Sequence, residues 1–85
     1  MAHVEMYGTR MCPFCVRARH LLKKKGVEYD DIRVDSEPER RSEMVERAGG
    51  ATSVPQIFID GEHIGGCDEL HDLERRDELD PRLEK

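Results

Sequence analysis

Cys12-Pro13-Phe14-Cys15 sits at the junction of two unlike stretches, and that junction limits the folds open to this chain. Upstream, His3-Val4-Glu5-Met6-Tyr7 alternates polar and apolar residues as a half-buried strand does. Downstream, Val16 to Lys25 reads as an amphipathic helix stopped by Gly26. Two cysteines separated by two residues can close a small disulfide or share a metal ion. Placed where a strand hands over to a helix in a small protein, they point to disulfide exchange.

The 85 residues are expected to make one domain with a modest core. Charged residues make up 39% of the chain and aromatics 5%, so that core must be largely aliphatic. A net charge of −5 argues against a nucleic-acid partner, whose phosphates call for a basic surface. The amino terminus shows no basic region followed by an apolar run, so no leader peptide is read there. No stretch approaches the apolar length that spans a membrane, and the expected location is the cytoplasm. Three cysteines are an odd count, and two lie too close together to staple distant segments. They are expected to change state rather than hold the fold together.

Taken in order, residues 3–7 form a first strand and Gly8 to Met11 the turn out of it. A helix from about Pro13 packs Cys15, Ala18, Leu21 and Leu22 and leaves Arg17, Arg19, His20, Lys23 and Lys24 wet. Lys23-Lys24-Lys25 then compensates the helix dipole. A second strand is expected around 30–35, with Ile32 and Val34 inward. Ser36 and Glu39 have the spacing of a capping box opening a helix that runs to Ala48, with Glu43 and Arg47 as an i,i+4 pair. Ile57-Phe58-Ile59, Asp60-Gly61 and Glu62-His63-Ile64 form a hairpin with a type I′ turn. A last helix starts near Asp68, and Leu79 and Leu83 pin one more turn. The order β-α-β-α-β-β-α, with the first two strands parallel and the hairpin antiparallel, describes an α/β thioredoxin fold. Its mixed four-stranded sheet carries helices on both faces.

Three stretches carry chemistry. At the start of the first helix, Cys12 faces free backbone N–H groups and the positive end of the dipole, which favour its thiolate, and Arg10 adds positive charge nearby. Cys15, one turn deeper, is expected to remain a thiol and to resolve the mixed disulfide formed at Cys12. A zinc site would need Cys67 and one of His3, His20, His63 or His71 to join them. No second C-x-x-C supports that, so no metal is expected. Ser53-Val54-Pro55 reads as a cis-proline turn presenting the Val54 backbone to an extended peptide. Gly65-Gly66-Cys67-Asp68-Glu69 opens a helix whose N–H groups suit a carboxylate, with Asp68 and Glu69 placed to pair with an amino group on the same ligand.

In this order Cys-Pro-Phe-Cys, Ser-Val-Pro-Gln-Ile-Phe-Ile and Gly-Gly-Cys-Asp resemble the dithiol glutaredoxins over essentially the whole chain. The resemblance implies reduction of protein disulfides and glutathionylated proteins with glutathione as co-substrate. It implies that the Val54 backbone, flanked by Ser53 and Pro55, pairs with the cysteinyl unit of glutathione. Gly66, Cys67, Asp68 and Glu69 would hold its γ-glutamyl end and Arg10 its glycine carboxylate, with Phe14 also among the glutathione-binding residues. Phe14, Thr9, Ser53 and Glu69 stand where the family more often has tyrosine, lysine, threonine and aspartate. Two alternatives share the cysteines: a glutathione-assisted iron–sulfur cluster module, and a redoxin donating electrons to ribonucleotide reductase. Ribonucleotide reductase is a conceivable partner in the enzyme reading as well. The chain is expected to act as a monomer.

Overall fold

β1 (Val4–Gly8) is an inner strand, with a parallel neighbour on one side and an antiparallel one on the other. The computed structural model of the chain describes residues 2–83. Its sheet has the order β2-β1-β3-β4, formed with β2 (Tyr29–Arg33), β3 (Gln56–Ile59) and β4 (Glu62–Gly65). The helices are α1 (Pro13–Lys24), α2 (Glu39–Arg47), α3 (Cys67–Arg75) and α4 (Leu79–Leu83). This is the mixed four-stranded sheet expected of a thioredoxin fold.

Two cores flank the sheet. Val4, Met6, Ile57 and Ile59 pack with Cys15, Ala18 and Leu22 of α1, Leu70 of α3, and Leu79 and Leu83 of α4. Tyr7 and Phe58 pack with Ile32, Val34, Met44 and Ala48 beside α2. The alternation in β1 therefore separates two covered faces, not core from water. Glu5 lies in the layer under α2, where Arg47 grips its carboxylate through two bonds of 3.0 and 2.9 Å.

Several local expectations are corrected. β2 ends at Arg33, although the Val34 N–H still donates to the Gly8 carbonyl at 3.0 Å and Val34 stays buried. Ser36 caps no helix. Its N–H and that of Glu37 both close a turn onto the Arg33 carbonyl, so α2 opens one residue after Pro38 without a side-chain cap. Glu43 and Arg47 do not pair with each other. Glu43 takes two hydrogen bonds from Arg40 and one from the Tyr7 hydroxyl, while Arg47 turns inward to Glu5 and to Tyr7. Lys25 is more than dipole compensation: its ammonium bridges Glu74 of α3 at 2.7 Å and Asp80 of α4 at 2.9 Å.

The hairpin forms as its sequence dictates. Asp60 and Gly61 both take positive φ, 52° and 80°, as a type I′ turn requires. It places β4 at one edge of the sheet, opposite β2, whose Asp30 and Asp31 are exposed.

Candidate active site

The loop leaving β1 delivers Cys12 to the N-cap of α1 with extended backbone, φ −69° and ψ 122°, and Pro13 takes the first helical position. There its missing N–H costs nothing. The first turn closes through the Val16 N–H and the Cys12 carbonyl at 3.0 Å. Cys12 is half-buried, Cys15 fully buried, and both are free thiols.

Their environments drive the two thiols apart. Partial burial opposes the Cys12 thiolate, but the backbone N–H groups of Cys15 and Phe14, the Cys15 thiol and the charge of Arg19 together bring its pKa below the ordinary value. Burial pushes the Cys15 thiol up. The Thr9 N–H, 3.5 Å from Cys15 Sγ, partly offsets this, and the neighbouring Cys12 charge adds to the rise. The surroundings thus favour the anion at Cys12 and the protonated thiol at Cys15.

Arg19 is a contributor that sequence reasoning missed. The amphipathic pattern puts it on the wet face of α1, yet its side chain is only 12% exposed. It reaches back to donate to the Thr9 carbonyl at 2.8 Å and is held from the other side by Asp31 at 3.3 Å. Pattern alone gives no hint of this, because the partners come from the loop after β1 and from β2. Gly8 belongs to the same neighbourhood: a Cβ there would stand 3.0 Å from Cys15 Sγ.

A cavity of about 240 Å³ opens against Phe14 and is walled by Ser53, Val54 and Pro55 on one side and Gly66 to Glu69 on the other. The charge of Cys12 reaches Cys67 in that wall. The Val54–Pro55 bond is cis. Gly66 lies so close to the Pro55 carbonyl that a Cβ would meet it at 3.2 Å, which joins the two walls. Eight of the residues singled out from sequence thus come together. Arg10 does not join them: it is exposed, its backbone N–H donates to Asp35, and it lines no part of the cavity.

Two of the eight have engagements the sequence did not suggest. Glu69 is the acceptor of the helix cap, taking the Gly66 N–H on Oε1 at 2.7 Å, so this oxygen is already occupied. Cys67 is buried, lies 3.4 Å from His71 Nδ1, and burial raises its pKa, leaving it a poor nucleophile. Behind the Ser53 wall stands Gln56, 4% exposed, which was not anticipated as a site residue. Its amide donates to the Ser53 carbonyl at 2.9 Å, and its oxygen lies 2.6 Å from His63 Nε2. A glutamine opening an otherwise apolar strand was the available signal. Among the described residues, the His3, Glu5 and Asp30 side chains converge closely enough to share an ion, but at the opposite end of β1 from the cysteines.

The glutaredoxin family model matches residues 4–64. The chain belongs to the glutaredoxin family. It is 51% identical to glutaredoxin 3 of Escherichia coli (strain K12), the match covering 98% of this chain and 99% of that one. The solution structure of a glutaredoxin from Brucella melitensis superposes with a TM-score of 0.81 at 46% identity, over 95% of this chain and 87% of that one. The crystal structure of the buckwheat glutaredoxin–glutathione complex gives 0.88 at 29% identity, over 96% and 76%. As a glutaredoxin, the chain is a glutathione-dependent thiol–disulfide oxidoreductase, and neither the cluster-binding nor the redoxin alternative is favoured. No helix among the described residues is long and apolar enough to cross a membrane.

Proposed function

We propose that Cys12 is the attacking sulfur, that Cys15 resolves, and that the cavity walled by Ser53–Pro55 and Gly66–Glu69 binds glutathione. The observation that carries this is the opposed tuning of the two thiols next to a polar-rimmed cavity. With a glutathionylated protein, the Cys12 thiolate attacks the glutathione sulfur. The new Cys12–glutathione disulfide forms as the protein–glutathione disulfide breaks, and the protein thiolate leaves and takes a proton from solvent. A second glutathione, as its thiolate, then attacks the bound glutathione sulfur, giving oxidised glutathione and the free Cys12 thiolate. With a protein disulfide, Cys12 forms the mixed disulfide and releases one protein thiolate. Cys15 loses its proton and attacks Cys12, releasing the second, and two glutathiones reduce the resulting Cys12–Cys15 disulfide.

In the cavity, the Val54 backbone pairs with the cysteinyl unit of glutathione, and the N–H groups at the start of α3 receive the γ-glutamyl carboxylate. Asp68, exposed at that terminus, faces the ligand amino group. Arg10, exposed and outside the cavity wall, supplies counter-charge for the glycine carboxylate. The proposed partners are disulfide-bearing and glutathionylated proteins, ribonucleotide reductase among them. We place the chain in the cytoplasm, acting as a monomer.

The test is turnover of hydroxyethyl disulfide and of a glutathionylated peptide, coupled to glutathione reductase and NADPH. Cys12→Ser is expected to abolish both. Cys15→Ser is expected to retain them while losing reduction of a protein disulfide. An active Cys12→Ser protein would end this assignment.

A further inference from the structure

Among the described residues, three large apolar side chains stand exposed: Met11 at 81%, Phe14 at 51% and Val16 at 51%. All three lie within four residues of Cys12. Phe14 belongs to the cavity wall; Met11 and Val16 do not. Met11 precedes the N-cap and Val16 is the fourth residue of α1, the two positions of a hydrophobic staple. A staple buries its two members against each other, and here both remain open to water. Val16 also lies one helical turn beyond Cys12, on the same side of α1, with its N–H bonded to the Cys12 carbonyl.

We infer that Met11 and Val16 form a docking surface for the polypeptide half of the substrate, one carrying a large apolar residue next to its reacting cysteine. The inference rests on Cys12 being the attacking sulfur, and continuity with that sulfur carries it. Glutathione has its own cavity, so a polypeptide joined to it must leave the thiol over the surface that remains. Of the exposed side chains adjoining Cys12 in the chain, Met11 and Val16 are the large apolar ones outside the cavity, with Arg10 and Arg17 exposed at their margins. Covering Met11 and Val16 with an apolar side chain removes that area from water, whereas a polar neighbour leaves it exposed. The surface selects among proteins and is indifferent to small disulfides.

Two glutathionylated peptides differing only in leucine or serine beside the cysteine provide the test, with hydroxyethyl disulfide as the small-substrate reference. The leucine peptide is expected to show a kcat/KM at least about tenfold higher, mostly through KM. Met11→Ser/Val16→Ser is expected to abolish that preference while turning over hydroxyethyl disulfide at the parent rate. Equal kcat/KM for the two peptides on the parent protein would overturn the docking surface, as would a preference that survives the double substitution. Failure of the parent protein to turn over hydroxyethyl disulfide is a different result. It removes the assignment of Cys12 and the docking surface with it.

Discussion

The sulfur of Cys15 occupies the space that a side chain at position 8 would need: a Cβ on Gly8 would stand 3.0 Å from it. Close packing of β1 against the first turn of α1 is what seats the buried thiol. Met6 Cε at 3.2 Å and Arg19 Nη2 at 3.4 Å have flexible ends that can move, but the short Cys15 side chain has little room. Gly8→Ala is therefore expected to destabilise the reduced protein by about 1–3 kcal/mol in urea unfolding, the usual range for overpacking. In a Cys15→Ala background the cost should largely disappear, because the sulfur is gone. An undiminished cost there would mean that the contact is not its cause.

The two thiols should titrate on opposite sides of the ordinary value. Followed by iodoacetamide alkylation and mass spectrometry across pH, Cys12 is expected to react with a midpoint below 9.0 and Cys15 with one above it. Arg19→Gln removes a positive charge that favours the Cys12 thiolate, so its midpoint should rise. An unmoved midpoint would show that the backbone N–H groups of Cys15 and Phe14 suffice.

The Glu5–Arg47 pair sets an acid-stability window. Arg47 holds the Glu5 carboxyl below its usual range against the opposing effect of burial, so the unfolded chain takes up the proton more readily. The pair's contribution is thus complete above the free carboxyl value of 4.5 and drains away as pH falls through the lowered folded value. Arg47→Met leaves Glu5 without its partner, removes the hydrogen bond that the Tyr7 hydroxyl accepts, and is expected to cost about 1–3 kcal/mol at neutral pH. It should also flatten the decline in urea midpoint between about pH 5 and about pH 3. A variant that declines as steeply as the parent would place the acid sensitivity elsewhere, with Glu43 and its partners Arg40 and Tyr7 as the next group to examine.

Gln56 is expected to work through the loop it holds. Replacing it with methionine keeps its bulk but removes the donor to the Ser53 carbonyl, freeing the loop that carries Val54. KM for a glutathionylated peptide should rise roughly tenfold with kcat little changed, the pattern of lost binding rather than lost chemistry. A fall in kcat at constant KM would instead implicate the thiols themselves.

The element order, the hairpin turn, the parallel pairing and the cysteine pair were all legible in the chain, because each is written in a local pattern. Period-two alternation marks a strand, Asp-Gly marks the turn, and C-x-x-C marks the thiols. Where sequence and structure part, the physical cause is shared: a polar side chain has a plausible neighbour close in sequence, while its partner stands elsewhere in the fold. Arg47 fits Glu43 by spacing but meets Glu5 across the gap between α2 and β1. Ser36 fits a cap but is consumed by the turn onto Arg33. Arg19 fits a wet helix face but fills the angle between Thr9 and Asp31. At the site, the residues around the cavity were identifiable by motif. Gln56 and the capping role of Glu69 were not, since both depend on how two distant segments meet.

β2 lies at the edge of the sheet with Asp30 and Asp31 exposed along it. An edge strand offers unpaired backbone groups to any other strand that approaches. A second copy docking there in antiparallel fashion would bring aspartates of the two chains face to face, in a protein already at a net charge of −5. Asp31, which anchors Arg19 on one side, thus also stands with Asp30 at the border of the sheet. The chain gains resistance to edge-to-edge aggregation from the strand that helps set its thiol chemistry.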